Sequence, residues 1–287
     1  MYIEEDSMIL VTAATAPVGR SIVEQLVAAG RAVRALTRDP AKANLPLGAE
    51  VVAGNLSEPE SLPAAFRDVS AVFLLAAVPG FAPAFLKAAK AAGVRRIVFQ
   101  SSGAVDDAAD EQPNEIAAFH HDIEHAIQES GLEWTFLRLA VASADALQWA
   151  FDVPGQLKAG DIVRGPYGAA SGSPIHPADF AAVAVAALTE DRHTGKTYLL
   201  TGPQSLTHIE QVQRIGEALG RPLRYEELNL AAARAAISPY APADLLFEMW
   251  EKHIEIPAPV NDTVARITGR PPRSVTQWAA DYVGEYH

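Results

Sequence analysis

The sequence predicts an α/β protein: a doubly wound parallel sheet followed by a smaller, mainly helical C-terminal lobe. Three observations carry this. Short apolar strands alternate with helical stretches across roughly the first half of the chain, the pattern of right-handed strand–helix–strand units. Val69 to Ala77 is an almost continuous apolar run, which suits a central strand buried on both faces. Ile9 to Gly30 reads as a buried strand, a tight turn and a helix. Such a junction aims unpaired helix N–H groups and the positive end of the helix dipole at one point, an anion site.

Taken in order, the first strand and helix are followed by strands over Ala32–Arg38, ended by Asp39-Pro40, and over Ala49–Leu56. Ser57 to Leu62 has the pattern of a helix start, with Ser57 as cap and Glu60 three residues on. After the central strand, Phe81–Ala92 is helical, Arg95–Ser102 is a strand ending in hydroxyls, and Glu115–Ser130 is a long helix stopped by Gly131. Glu133–Leu139 closes this series. Residues 1–145 are thus expected to form the nucleotide-binding domain, and 146–287 a smaller lobe that covers the substrate and returns a strand or two to the main sheet. In that lobe Asp179 is expected to cap an Ala/Val helix. Thr197–Thr201 and Leu223–Asn229 read as strands, and helices follow over Ser205–Gly220, Leu230–Ile237, Ala243–Ile254 and Ser274–Tyr286.

Composition narrows the function. The chain has 287 residues, 49% hydrophobic and 20% charged, which is ordinary globular composition. It contains no cysteine, so disulfides, thiolate catalysis and cysteine metal sites are excluded. A net charge of −12 argues against a nucleic-acid partner. No apolar run reaches the length of a membrane span, and the acidic Met1–Ser7 is no signal peptide, so a cytoplasmic protein is expected.

A dinucleotide-binding turn carries three glycines. Here the spacing survives, but Ala13 and Ala16 hold the first two places and only Gly19 remains. A methyl at Ala13 costs little at negative φ. One at Ala16 sits where backbone approaches phosphate, and Pro17 removes a donor. The turn reads either as a weakened nucleotide site or as a loop that no longer binds.

Several segments together resemble the NmrA-like atypical short-chain dehydrogenase/reductases, of the quinone-oxidoreductase and redox-sensor type. They are Ile9–Gly19, Val33–Ala43, Gly54-Asn55-Leu56, Gly93–Ser102, His120 through Arg138, and Tyr198–Pro203. The resemblance spans nearly the whole chain. It implies a Rossmann domain that binds NADP(H), and either a reductase or a cofactor sensor with a protein partner. The cofactor would be held by Ala13, Thr15, Ala16, Pro17, Val18 and Gly19. Arg38 would meet the 2′-phosphate, with Arg34 as the alternative contact. Asn55 and Leu56 would flank the adenine, and Ala76, Ala77 and Val78 would line the nicotinamide ribose path. Each of these also reads as a plain strand end.

The family's usual tyrosine and lysine, four residues apart on one helix face, are replaced by Ile116 and His120. Isoleucine transfers no proton. His120 is a candidate ribose ligand or acid/base, since its ordinary pKa lies near neutrality, and is otherwise a helix-surface histidine. Ser101 and Ser102 would polarise a substrate carbonyl or cap the following turn. His121 and His125 lie four apart beside Asp122 and Glu124, but the glutamate is misplaced for a zinc motif and no distant third ligand is evident, so no metal is expected. Trp149, Phe151, Tyr167, Phe247 and Trp250 either suit a flat aromatic substrate or pack the lobe's own core.

These readings point to an NADP(H)-dependent oxidoreductase acting on a quinone-like or aromatic, polyketide-type carbonyl. Two alternatives stand: a non-catalytic NADP(H) sensor that regulates a protein partner, and a cofactor-independent enzyme that isomerises or couples aromatic metabolites. A second copy of the chain is a further partner class.

Overall fold

An apolar strand running into a proline-started helix sets the architecture. In the computed structural model β1 (Met8–Val11) leads to α1 (Pro17–Ala28), where Pro17 takes a position at which its missing N–H costs nothing. β2 (Val33–Thr37), β3 (Ala49–Ala53) and β4 (Val69–Leu74) follow. Then come α2 (Ala82–Ala91), β5 (Arg96–Ser102), α3 (Glu115–Glu129) and β6 (Glu133–Leu139). Asn114 opens α3 by accepting the Ala117 N–H at 2.9 Å, and Gly131, at φ +74°, lies just past its end.

The later chain forms α4 (Val153–Ala159), β7 (Ile162–Gly165), β8 (Ser171–Gly172), α5 (Pro177–Thr189), β9 (Lys196–Leu200) and β10 (Leu206–Thr207). It continues through α6 (His208–Leu219), β11 (Arg224–Glu227), α7 (Leu230–Ala236), α8 (Ala243–Glu255), α9 (Thr263–Thr268) and α10 (Val275–Asp281). The structure describes residues 7–75, 78–140, 148, 150–239 and 241–282, so the expectations for Ala76, Ala77 and Trp149 lie outside the described residues. Among the described residues no helix is long and apolar enough to cross a membrane.

Seven strands form one sheet in the order β3-β2-β1-β4-β5-β6-β9, and the pairings from β3 through β6 are parallel. This is the expected Rossmann order. β1 sits between β2 and β4, so the crossovers diverge there and open a crevice beyond the strands' carboxyl ends. Two local expectations give way. Ser57–Leu62 forms only a 3₁₀ turn, Pro59–Ser61, because Ser61 Oγ and the Asn55 side chain take up the turn's hydrogen bonds and no helix starts at Ser57. Asp179 is no cap: it lies two residues inside α5 and is buried.

The chain divides into two compact units, residues 1–139 with 177–199, and residues 140–176 with 200–287. In the first, Leu10, Phe66, Phe85, Phe99, Ile127 and Phe136 centre the core on one sheet face. The amino ends of β5 and β6 are tied by Arg96, 1% exposed, which meets Glu133 at 2.7 Å and Asp191 at 2.6 Å. Arg34 is likewise committed. It is buried, pairs with Glu50 at 2.8 Å and donates to the Ala65 carbonyl at 3.0 Å, near the amino end of β2. That removes it as the alternative phosphate contact.

The second unit has its own core, and four of the five aromatic residues that read as either substrate-facing or core-packing, Phe151, Tyr167, Phe247 and Trp250, belong to it. Phe151, Phe247 and Trp250 are 5, 4 and 2% exposed. Their ring centroids lie 5.9–6.1 Å apart where Trp250 meets Phe247 and Phe151, and Tyr167 packs on Phe247 at 5.9 Å. A substrate would have to unpack this cluster to reach the three buried rings; Tyr167 is the partly exposed member.

His208, the first residue of α6, is buried against the Trp250 edge, with Nδ1 3.2 Å from the Pro166 carbonyl. Burial pushes its pKa down from 6.5 to about 4. The folded state therefore favours the neutral ring, and this contribution is complete above pH 6.5 and lost as pH falls toward 4. Urea unfolding followed by tryptophan fluorescence should show an acid-dependent loss on the order of 3 kcal/mol across that window. His208→Gln should abolish that part of the pH dependence.

Candidate functional site at the carboxyl ends of the strands

The turn between β1 and α1 is held closely. The Thr12 N–H donates to the Phe73 carbonyl at 3.0 Å, and Thr12 Oγ1 accepts the Leu75 N–H at 2.9 Å, pinning the tips of β1 and β4 together. Ala13 then takes φ +48°, the left-handed conformation that glycine adopts without penalty. The condition for a cheap methyl, a negative φ, is not met: the turn keeps its glycine-type shape and Ala13 bears the strain, about 1–2 kcal/mol. The Ala16 N–H returns to the Ala13 carbonyl at 3.0 Å. Gly19 has a separate reason: a Cβ there would lie 2.3 Å from the Ala13 carbonyl oxygen, against backbone that cannot yield.

Pro17 stands at the start of the helix, and the N–H groups of Val18 and Gly19, next in the first turn, have no intrahelical acceptor, as in the first turn of any helix, which leaves them suited to an anion. Thr15 is exposed beside them. Arg38, just past β2, is exposed and makes no ion pair with another described residue. The residues present therefore suit a dinucleotide: a phosphate turn of the right shape, open donors and an uncommitted cation.

The remaining expected contacts are less uniform. Asn55 spends its carboxamide on its own turn, accepting from the Ser57 N–H at 3.1 Å and donating to Glu58 at 3.0 Å. Leu56 is half-buried against the core. Val78 is half-buried beyond β4. The two serines separate. Ser102 Oγ accepts the Ala104 N–H at 3.1 Å and keeps its own proton for a further acceptor. Ser101 is 2% exposed on the opposite strand face, and its Oγ has no hydrogen-bond partner.

His120 lies on α3 with its ring stacked 6.0 Å from Phe99 and its Nδ1 2.8 Å from the Ile116 carbonyl. A carbonyl only accepts, so Nδ1 carries the proton and Nε2 presents a lone pair. Burial lowers the ring's pKa, outweighing the Ile116 carbonyl and Glu124 charge that raise it. His120 is therefore a neutral acceptor near pH 7 and not a ready acid. One turn on, Glu124 is buried and meets Arg138 of β6 at 2.6 Å; Arg138 also grips Asp107 through two bonds of 2.6 and 2.8 Å. Neither Thr12 nor this ion cluster stands out in the sequence, because the partners lie 14 to 63 residues apart.

A family model described as NAD(P)H-binding matches residues 13–191. The chain is 40% identical over 282 residues to a (4-alkanoyl-5-oxo-2,5-dihydrofuran-3-yl)methyl phosphate reductase of Streptomyces griseus, covering 96% of this chain and 98% of the relative. It is 34% identical to an NAD(P)H azoreductase of Xenophilus azovorans, over 97 and 99% of the two chains. Among solved structures, an NADPH-dependent quinone oxidoreductase of Escherichia coli complexed with NADPH superimposes with TM-score 0.74 at 25% identity, over 96% of this chain and 100% of that one.

The turn predicts opposite effects at its two small residues. Gly19→Ala should cost at least about 2 kcal/mol, because backbone must move to admit the methyl. Ala13→Gly should stabilise by about 1 kcal/mol through release of the left-handed strain. Denaturant midpoints of both variants check this.

Proposed function

The chain belongs to the NAD(P)H-binding, NmrA-like branch of the short-chain dehydrogenase/reductases, and we propose that it is an NADPH-dependent reductase of a quinone-like or other conjugated, electron-poor substrate. The observation that carries this reading is the pairing of a preserved phosphate turn with the lack of a proton-donating pair. The Val18 and Gly19 N–H groups would hold the pyrophosphate, and Arg38 the 2′-phosphate, through charge-assisted contacts. The neutral His120 would accept a ribose hydroxyl at Nε2. When bound, the nicotinamide supplies the reducing equivalent.

No residue at the tyrosine place offers a proton, since Ile116 stands there. Ser102 retains a hydroxyl proton with which to orient a substrate oxygen. A simple ketone needs a strong acid partner, whereas a quinone or another conjugated acceptor reduces readily and can take its proton from solvent. Three similar proteins are named as reductases of a furanone phosphate, of azo compounds and of quinones, which supports a conjugated substrate here. The retained turn at Ala13 speaks against a cofactor-free enzyme. The missing proton donor favours a second reading, cofactor binding without turnover as a sensor, and turnover separates the two.

Calorimetric titration should give tighter binding of NADPH than of NADH. Arg38→Asp should weaken NADPH roughly tenfold or more while leaving NADH little changed. Mixing protein and NADPH with a panel of quinones and azo dyes should oxidise the cofactor faster than a protein-free control. No excess rate across the panel, with binding intact, would leave the sensor reading.

A further inference from the structure

We infer that Arg138 is a positioning residue for the cofactor end of the first unit, acting through Asp107 on the segment that follows β5 and through Glu124 on the helix that carries His120. The inference rests on the reductase reading above.

Arg138 stands opposite Ser101 in the β5–β6 register, at the carboxyl ends of the strands. The residue is 8% exposed, and its guanidinium is satisfied from two elements. From α3, Glu124 accepts from Nε at 3.0 Å and from a terminal nitrogen at 2.6 Å. From the segment between β5 and α3, Asp107 accepts two bonds, and the guanidinium holds the Asp107 carboxyl below its usual range. That segment begins directly after Ser102. It is tied to β6 by the Gly103 N–H on the Leu139 carbonyl at 2.7 Å and ordered internally by Asp106 and Gln112, 2.9–3.0 Å apart in two bonds. A planar fork serves two carboxylates with fixed geometry, which a single ammonium cannot reproduce.

Stability alone is a poor account of this cluster. Desolvation cancels much of the Coulombic gain of a buried pair, so its clearest effect is to fix positions. The same two strands carry an internal control. Arg96, at their amino ends, is also buried and binds one carboxylate from β6 and one from a surface turn, Glu133 and Asp191. Each arginine thus bridges two carboxylates, although both partners of Arg96 are exposed whereas Glu124 is buried beside Arg138. Only the Arg138 assembly touches the segment after β5 and the helix of His120.

The paired variants Asp107→Asn and Asp191→Asn each remove one exposed carboxylate from a buried arginine and leave its other carboxylate in place. Hydrogen exchange of the 103–114 amides and calorimetric affinity for NADPH are the readouts, with thermal midpoints as the stability reference. Asp107→Asn should speed exchange in 103–114 and weaken NADPH roughly tenfold. Asp191→Asn should lower the thermal midpoint by a similar amount yet leave exchange in 103–114 and NADPH affinity within about twofold. Asp107→Glu should restore part of the affinity, and Arg138→Lys should not. Equal NADPH affinity in wild type and Asp107→Asn, or equal weakening by Asp191→Asn, overturns the inference alone. Failure of the wild type to bind NADPH overturns the reductase reading and takes this inference with it.

Discussion

The close packing of α1 on the turn after β1 is the constraint on which the rest depends. No Cβ fits at Gly19, because the Ala13 carbonyl oxygen occupies that space. The helix therefore cannot back away, and the turn must reverse within Thr12 to Ala16. Ala13 meets that demand in a left-handed conformation at a cost its own side chain does nothing to offset. Such strain persists only where the surroundings over-determine it. Here the Thr12 hydrogen bonds to β4 and the parallel pairing of β1 on both sides supply the determination. The outcome is a helix N-terminus aimed beyond the sheet at its switch point, which is what a dinucleotide site needs.

Around that point Ile116 and His120 stand where the family's tyrosine and lysine would, while the phosphate turn and Arg38 remain suited to a cofactor. Ile116 is inert, and His120 is committed at Nδ1 and kept neutral by burial. Of the two serines, Ser102 keeps a hydroxyl proton in a half-buried position, while Ser101 is enclosed. A site of this composition suits acceptors that are already electron-poor. That is the physical link between the local residue changes and the proposed substrate class, and it is independent of the aromatic side chains, which serve the second unit's core.

Charge is used in a patterned way. Two buried arginines bracket the β5–β6 pair, each shared between two carboxylates. At the amino end the assembly joins strands to the turn after α5. At the carboxyl end it joins them to the helix and segment that border the proposed cofactor site. Loops at that end of a parallel sheet are where function is placed, so the same chemical device has structural consequences at one end and functional ones at the other.

Local pattern in the sequence marked the parallel strand–helix alternation of the first unit, the end of α3 at Gly131, and the phosphate-turn spacing with Gly19 and Arg38. These are legible because apolar periodicity and turn chemistry act over a few residues. Tertiary structure alone decided the backbone state of Ala13, the commitment of Arg34 to Glu50 and of Phe151, Phe247 and Trp250 to a core, and the tautomer of His120. It alone brought Thr12 to Leu75 and Arg138 to Asp107. The reason is physical: a side chain's identity limits which bonds it can make, but its partner is chosen by how distant strands and helices pack, and no spacing along the chain encodes that choice.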